Sequence, residues 1–183
     1  MRIIAGDFKG RRLFTPKDNR IRPTSDMVKE SLFSMIAGYL ENSVAVDLFS
    51  GTGNLGLEAI SRGASRCYFG DKSRESLELT RQNISHCKAE NQAITILGDF
   101  ERVLDKIPEK VDIFFLDPPY HNGLIEQCLA KISELSMLSD DGIIIAEHGA
   151  NENIPDQCGG FFKIKNKRYG SIAISIYSFN LEE

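Results

Sequence analysis

The sequence between Val44 and Glu147 alternates short apolar runs with longer amphipathic segments, and this alternation constrains the fold strongly. The apolar runs have the length of β-strands, and the segments between them carry apolar residues at helical spacing. Strands that alternate with helices form a parallel sheet covered by helices on both faces. The predicted strands are 44–49, 66–71, 93–98, 111–116 and 142–147, and the predicted helices are 54–62, 73–87, about 100–106 and 123–136.

The C-terminal part of the sequence breaks this alternation. Residues 160–168 and 171–179 predict two strands around Tyr169 and Gly170, which form an antiparallel hairpin that closes one edge of the sheet. We therefore expect a doubly wound, Rossmann-like α/β sheet, mostly parallel with a C-terminal antiparallel hairpin. Ligands of such sheets bind at the carboxyl ends of the strands, near the point where the strand order reverses.

The N-terminal part has its own pattern. Residues 2–5 and 11–15 predict short strands joined by a glycine-containing turn. Residues 23–26 (Pro-Thr-Ser-Asp) offer N-cap side chains to a helix that follows them. We expect residues 1–40 to form a basic hairpin-and-helix extension and residues 41–183 to form the main domain.

Basic side chains are concentrated near the two ends of a chain whose net charge is −4. Local positive fields attract phosphate groups whatever the total charge, so these side chains indicate a nucleic-acid contact. A solvated charged face with no partner is the alternative interpretation. The N-terminal group contains Arg2, Lys9, Arg11, Arg12, Lys17, Arg20 and Arg22, and the C-terminal group contains Lys163, Lys165, Lys167 and Arg168.

The sequence also predicts the cellular compartment. No apolar stretch approaches the ~20 residues needed to cross a bilayer, and the first residues lack the apolar core of an export signal. The cysteines are far apart and show no metal-ligand spacing, and the histidines at positions 86, 121 and 148 are equally dispersed. We therefore expect a cytoplasmic protein with reduced thiols and no metal site.

A glycine-rich loop lies between the first strand of the main domain and its first helix. Gly51, Gly53 and Gly56 match the pattern GxGxxG, and Asp71 ends the next strand, about where a ribose-hydroxyl acceptor is expected. Glycines let the backbone turn tightly and approach a ligand closely. This pattern alone permits a nicotinamide dinucleotide, so it does not identify the cofactor.

Three further features favour S-adenosylmethionine. Asp47 precedes the glycines, where it suits a charged amino-acid moiety and would repel a pyrophosphate. Asp99 and Phe100 follow the third strand and offer an acceptor for an adenine amine and a ring to pack on it. Asp117 follows the fourth strand, where a methyl acceptor is expected. Helix capping is the alternative role for Asp71 and Asp99.

The four residues Asp117, Pro118, Pro119 and Tyr120 follow an apolar run that reads as a buried strand. Proline fixes φ and removes a backbone donor, so nearby carbonyl oxygens remain available as acceptors. A carboxylate and a carbonyl suit the two hydrogens of an amine, and Tyr120 offers a ring for stacking. The motif therefore predicts a pocket for the exocyclic amine of a nucleobase.

The chain as a whole resembles a class I S-adenosylmethionine-dependent methyltransferase. It is similar in particular to the bacterial family that methylates a guanine N2 amine of small-subunit ribosomal RNA. The stretches that carry the resemblance are RIIAGDFKGRRL at 2–13, IRPTSDMVKESLF at 21–33, DLFSGTGNLGLEAISRGA at 47–64 and FFLDPPY at 114–120. Asp71 departs from the glutamate that is more common in the family, and ribose recognition should survive that change.

The resemblance implies a role for each motif residue. Asp117 and the Pro118 carbonyl would accept the two N–H groups of the guanine amine, and Tyr120 would stack on the base. Asp71 would bind the ribose hydroxyls and Asp99 the adenine amine, with Phe100 packing nearby. The methionine part of the cofactor would be held by Asp47, Ser50, Gly51, Thr52 and Gly53.

The expected substrate is a flipped or loop nucleotide, because a stacked amine cannot reach such a pocket. Arg11 and Arg12 would hold surrounding phosphates, with Arg22 and Thr24 at the pocket entrance; for Thr24, an N-cap role is the alternative. We expect the partner to be ribosomal RNA, within a small subunit or its assembly intermediate, and the protein to be a monomer that binds no membrane.

Three other functions remain open at this point. The DPPY motif also allows adenine-N6 methylation of DNA or RNA, and the glycine pattern also allows a nicotinamide-dependent oxidoreductase. A non-catalytic RNA-binding protein with the same fold is the third alternative. Glu147 ends the fifth strand, and the sequence does not decide whether it is structural or lines the pocket.

Overall fold

A computed structural model describes residues 1–16, 25–119 and 123–179 of the chain. Helices and strands alternate in it from β1 to β5, as the hydrophobic pattern predicts. The helices are α1 (Asp26–Met35), α2 (Asn54–Ser61), α3 (Arg74–Cys87), α4 (Phe100–Leu104) and α5 (Leu124–Glu134). The strands are β1 (Val44–Asp47), β2 (Arg66–Asp71), β3 (Ala93–Leu97), β4 (Val111–Leu116), β5 (Leu138–Gly149), β6 (Gln157–Cys158), β7 (Phe161–Tyr169) and β8 (Ile172–Ser178).

The strands form one eight-stranded sheet in the order β3-β2-β1-β4-β5-β8-β7-β6. The first five strands pair in parallel. The pairs β5–β8, β8–β7 and β7–β6 are antiparallel. The predicted mostly parallel sheet with a C-terminal antiparallel hairpin is therefore confirmed. Its strand order reverses between β1 and β4, which puts the switch point at the carboxyl ends of these two strands.

Two strands differ from the prediction. β5 starts at Leu138, four residues before the predicted start, because Leu138 pairs with Val111 ahead of an irregularity in the register. The short strand β6 has no sequence signal, since it contains only Gln157 and Cys158 and two residues cannot show a periodicity. β6 forms the outer edge of the sheet beside β7.

The N-terminal segment folds back on itself, but not as two regular strands. Its backbone pairs through Ile3, whose N–H donates to the Arg11 carbonyl at 2.9 Å, and through one antiparallel bridge between Arg2 and Arg12. The N–H groups of Ile4 and Ala5 instead donate to the Glu58 carboxylate at 2.9 and 3.1 Å. The Glu58 carboxylate thus accepts from two N–H groups that a regular hairpin would have paired with the opposite strand.

Helix α1 is shorter than the sequence predicts, since apolar residues at helical spacing continue from Val28 to Leu40. Ser25 is its N-cap, and the Ser25 hydroxyl accepts from the Val28 N–H at 3.3 Å. The helix ends at Met35, and a 3₁₀ turn at Ala37–Tyr39 follows it. Gly38 lies within that turn, and glycine is a poor residue for continuing an α-helix.

Each face of the sheet carries its own hydrophobic cluster. Phe33, Phe69 and Phe115 belong to the first cluster, which also contains residues of α1, α2, α3 and the N-terminal segment. Val46 and Phe114 belong to the second cluster, where α4 and α5 cover the sheet. The division of the chain at residue 40 stays a prediction. Within the described ranges, no helix is long and apolar enough to cross a membrane.

Candidate active site

A cavity of about 720 Å³ opens at the carboxyl edge of the sheet, where the strand order reverses. The segments that follow β1, β2, β3 and β4 all contribute to its wall, and so do the N-terminal residue and the start of α5. Its lining residues are Met1, Asp47, Leu48, Phe49, Ser50, Gly51, Thr52, Asn54, Leu55, Asp71, Lys72, Ser76, Gly98, Asp99, Phe100, Asp117, Pro118, Pro119 and Leu124.

The glycine loop takes the sharp turn that its sequence predicts. Gly51 and Gly53 have φ values of 54° and 78°, a region that favours glycine, and Gly53 is the N-cap of α2. Gly53 itself does not belong to the cavity wall. The third glycine, Gly56, allows α2 to pack closely against Phe69 of β2, because a Cβ at Gly56 would lie 2.3 Å from Cε1 of Phe69. Residues 50–52 are therefore the part of the loop that lines the cavity.

Asp47 lies beneath this loop in a buried position. Its Oδ2 accepts a hydrogen bond from the Gly56 N–H at 3.0 Å. Burial raises the pKa of Asp47 to about 7; the Gly56 hydrogen bond opposes the increase and the negative charge of Asp71 adds to it. A cationic ligand beside Asp47 would offset the free-energy cost of ionising this buried carboxyl group. The site therefore suits an ammonium group better than a phosphate.

Asp71 and Asp99 combine a structural role with a position in the cavity wall. Asp71 accepts from the Ser73 N–H at 2.8 Å and from the Gly51 N–H at 3.0 Å. Asp99 is the N-cap of α4 and accepts from the Arg102 N–H at 3.0 Å. The capping alternative is therefore correct for Asp99, and it does not exclude a role in binding, because both residues line the cavity.

Asp117 lies in the same cavity as the glycine loop, although 64 residues separate it from Gly53 in the numbering. Burial raises the pKa of Asp117 well above its ordinary value, and the negative charges of Glu147 and Asp47 raise it further. Pro118 and Pro119 also line the cavity. Tyr120, the fourth residue of the motif, lies outside the described residues.

Glu147 is buried next to this group. Leu116 pairs with Ala146 in the β4–β5 ladder, so the following residues, Asp117 and Glu147, are neighbours at the two strand ends. Glu147 is 6% exposed and does not belong to the cavity wall. The register thus puts Glu147 beside Asp117, outside the lining of this cavity.

The two described members of the predicted substrate group lie on the N-terminal segment. Arg11 donates to the His86 carbonyl at 3.0 Å, and its guanidinium lies 5.2 Å from the ring centroid of Phe8. Arg12 is exposed and pairs with Arg2 in the backbone bridge. Arg22 and Thr24 lie outside the described residues.

Some residues of the cavity wall escaped the sequence prediction. Three of them lie in the first turns of helices that follow predicted site loops: Asn54, Ser76 and Leu124. Their position after those loops could have identified them from the sequence. Lys72 adjoins Asp71 in the same way. Met1 has no such signal: its Sδ accepts from the Thr52 hydroxyl at 3.1 Å, a contact between residues far apart in sequence.

Comparison with known proteins gives consistent matches. The profile of the family described as Conserved hypothetical protein 95 matches residues 1–178. The chain belongs to this family. Putative rRNA methyltransferase YlbH of Bacillus subtilis is 36% identical over 180 residues, which cover 97% of this chain and 98% of that protein. Ribosomal RNA small subunit methyltransferase D of Escherichia coli is 29% identical over 97% of this chain and 89% of that protein.

A solved structure supports the same assignment. Putative methyltransferase yhhF from Escherichia coli matches with a TM-score of 0.86 and 29% identity, covering 97% of this chain and 96% of that chain. The resemblance inferred from the sequence motifs is therefore confirmed, and the fold of this Conserved hypothetical protein 95 member is the Rossmann-like methyltransferase fold. The cavity lies where this fold places its ligands, at the switch point of the sheet.

Proposed function

We propose that the protein is an S-adenosylmethionine-dependent methyltransferase that methylates the exocyclic N2 amine of a guanine in small-subunit ribosomal RNA. One observation carries the proposal: Asp117, Pro118 and Pro119 share a single cavity with the glycine loop and its acidic residues. A methyl donor and an amine acceptor can therefore meet there. The names of the relatives, which refer to ribosomal RNA and to the small subunit, support the choice of substrate.

The residues of the cavity fit the cofactor by their chemistry. Asp47 offers a carboxylate to an ammonium group, and Ser50, Gly51 and Thr52 of the glycine loop line the part of the cavity that would receive the methionine moiety. Asp71 offers acceptors for ribose hydroxyls. Asp99 and Phe100 offer an acceptor and a ring to adenine, since both line the cavity next to Gly98. When bound, S-adenosylmethionine supplies an electrophilic methyl group.

Asp117 then acts on the amine. The lone pair of the guanine amine is delocalised into the ring, so the nitrogen is a poor nucleophile until its hydrogens are held out of the ring plane. The Asp117 carboxylate and the Pro118 carbonyl would accept these hydrogens, and positioning of the nitrogen supplies much of the rate enhancement. Positive charge develops on the nitrogen during attack, and the Asp117 carboxylate stabilises it.

This role requires Asp117 in its ionised form. Burial and the neighbouring acids raise the pKa of Asp117 in the free protein. A positively charged ligand in the cavity lowers that pKa again, because it favours the charged form of a nearby carboxylate. A bound sulfonium cofactor would thus favour the carboxylate form of Asp117 that the amine requires.

The RNA would reach the cavity past the basic N-terminal segment. Arg12 and Arg2 are exposed there, and Met1 of the same segment lines the cavity. Tyr120 would stack on the flipped base, with a contribution of ~1–3 kcal/mol. Arg22 and Thr24 would lie near the entrance. These contacts predict RNA binding that weakens as salt concentration rises.

The test is radiolabelled methyl transfer onto small ribosomal subunits from cells that lack this protein, followed by mapping of the modified base. We expect label on the N2 of one guanine, and labelling that is slower by about 10²–10³ with the Asp117→Asn variant. Label on an adenine amine would show that the enzyme methylates adenine and that the assignment to guanine is wrong. No label on subunits, on their assembly intermediates or on naked RNA would overturn it.

A further inference from the structure

The C-terminal hairpin carries positive charge without acidic residues. The segment 161–178 contains four basic residues and no Asp or Glu, although the whole chain has a net charge of −4. One of the four is neutralised, because Lys163 Nζ lies 2.8 Å from the Asp156 carboxylate. Lys165, Lys167 and Arg168 are exposed, and no carboxylate of the described residues forms an ion pair with them.

The sheet brings this charge to the edge that contains the cavity. β8 runs antiparallel to β5 and β7 runs antiparallel to β8, so β7 points in the same direction as β5. Lys167 pairs with Ile174, which pairs with Glu147 in β5. Lys167 is therefore level with the carboxyl end of β5, two strands away, and the turn at Gly170 projects beyond the same edge.

The hairpin also contacts the helix that holds the N-terminal segment. The Lys167 ammonium donates to the Ser31 hydroxyl of α1 at 3.1 Å and lies 5.3 Å from the ring centroid of Tyr169. At the first turn of the same helix, Arg2 forms an ion pair with Asp26 at 2.8 Å. Asp26 and Ser31 are five residues apart, about 7.5 Å along a helix axis. Both basic regions are therefore attached to α1.

We infer that Lys165 and Lys167, together with Arg168 at the turn, form a second phosphate-contact surface for the substrate RNA. This hairpin surface would hold the strand that flanks the target nucleotide, while the N-terminal segment holds the other side. The hydrogen bond from Lys167 to a neutral hydroxyl leaves its charge uncompensated. An exposed ammonium group of this kind contacts phosphate as a point charge and adds affinity without reading sequence. The inference rests on the proposed function.

The test is the double variant Lys165→Gln/Lys167→Gln, assayed on the RNA or subunit that the wild-type protein methylates. We expect the KM for RNA to rise on the order of tenfold, with kcat and the affinity for S-adenosylhomocysteine unchanged. Each lost phosphate contact also reduces the slope of log K against log salt by about 0.7–0.9. Two lost contacts therefore reduce that slope by about 1.4–1.8.

A charge-matched control separates a local contact from the effect of net charge. Lys106→Gln/Lys110→Gln also removes two positive charges, from exposed positions between α4 and β4, outside the hairpin. If the hairpin variant and this control have the same KM and salt slope, the inference is wrong while the proposed function stands. If the wild-type protein transfers no methyl group to RNA, both are wrong.

Discussion

Asp71 and Gly51 are joined by a hydrogen bond of 3.0 Å, in which the carboxylate accepts from the backbone N–H of the glycine loop. The residue expected to bind ribose hydroxyls therefore also fixes the loop that is expected to hold the methionine part of the cofactor. Its second oxygen accepts from the Ser73 N–H at 2.8 Å, next to the start of α3. We therefore expect cofactor affinity and loop geometry to depend on this one side chain.

Replacing Asp71 should weaken cofactor binding more than it weakens the fold. We expect Asp71→Ala to lower the affinity for S-adenosylhomocysteine at least about tenfold, because loop anchoring and ribose contacts, each worth about 0.5–1.5 kcal/mol or more, disappear together. Titration calorimetry measures the affinity, and thermal unfolding measures the stability. Asp105→Ala, an exposed aspartate after α4, is the control. Unchanged affinity in Asp71→Ala would assign Asp71 a purely structural role.

Replacing Asp117 should separate binding from chemistry. Asp117→Asn keeps the shape of the side chain but removes the negative charge that stabilises the attacking nitrogen. Loss of one preorganised electrostatic contact of this kind typically lowers kcat by about 10²–10³. We expect the affinity for S-adenosylhomocysteine to stay within about twofold, since this residue acts on the amine. A variant with wild-type turnover would remove Asp117 from the mechanism.

The raised pKa of Asp47 predicts that folding stability depends on pH. The pKa is about 7 in the folded protein against 3.8 for an ordinary Asp side chain, so the folded state binds this proton more tightly than the unfolded state does. The resulting stabilisation is complete below about pH 4 and is lost as pH rises to about 7. Relative to Asp47→Asn, the wild-type protein should lose roughly 1–4 kcal/mol of unfolding free energy across this window. Urea titrations at several pH values measure this difference, and parallel curves for the two proteins would contradict the prediction.

The same pKa predicts a pH-dependent cofactor affinity. If an ammonium group binds beside the Asp47 carboxylate, the complex stabilises the charged form, and binding below about pH 7 must release a proton. The affinity for S-adenosylhomocysteine should therefore increase from about pH 6 to pH 8. Calorimetry in buffers of different ionisation enthalpy counts the released proton. Asp47→Asn should bind more weakly and should show a smaller pH dependence.

The buried ion pair of Lys29 and Glu58 should be required for the N-terminal segment to stay in place. Lys29 Nζ lies 3.0 Å from Glu58, and both side chains are at most 1% exposed. Glu58→Leu leaves a buried ammonium group without its carboxylate and two backbone N–H groups, of Ile4 and Ala5, without acceptors. We expect a loss of about 3–5 kcal/mol in unfolding free energy, measured by urea titration. The double variant Lys29→Met/Glu58→Leu should lose less unfolding free energy than Glu58→Leu. A larger loss in the double variant would contradict this prediction.

Asn83 should control how firmly the N-terminal segment is attached to the glycine loop. Its buried side-chain amide donates to the carbonyl oxygens of Thr52 and Phe14 at 2.9 and 3.0 Å, and its Oδ1 accepts from the Phe14 N–H at 2.7 Å. Asn83→Leu removes all three bonds. We expect faster hydrogen exchange in residues 1–16, and unchanged exchange in the β5–β8 pair. If residues 1–16 exchange at the same rate in the wild-type protein and in Asn83→Leu, Asn83 does not hold the N-terminal segment in place.

Much of the site was predictable because its residues follow strands in the sequence. Asp47, Asp71, Asp99 and Asp117 each come directly after an apolar run or at its end, and the parallel sheet then collects them at one edge. The N-terminal hairpin was predictable only in outline, because the Glu58 carboxylate takes two of its backbone donors. A local sequence pattern cannot show that a carboxylate more than fifty residues away will accept these hydrogen bonds.

The sequence alone determined most of the strands and helices and the loops that carry the acidic residues, since hydrophobic periodicity and glycine or proline turns act over a few neighbouring residues. Tertiary structure decided which of these loops share a cavity. It placed Glu147 beside Asp117, Met1 against Thr52, and the basic β7 hairpin at the same edge of the sheet as the cavity. These contacts join distant parts of the chain, and they are selected by strand order and by the need to pair buried polar groups, which only the complete fold satisfies.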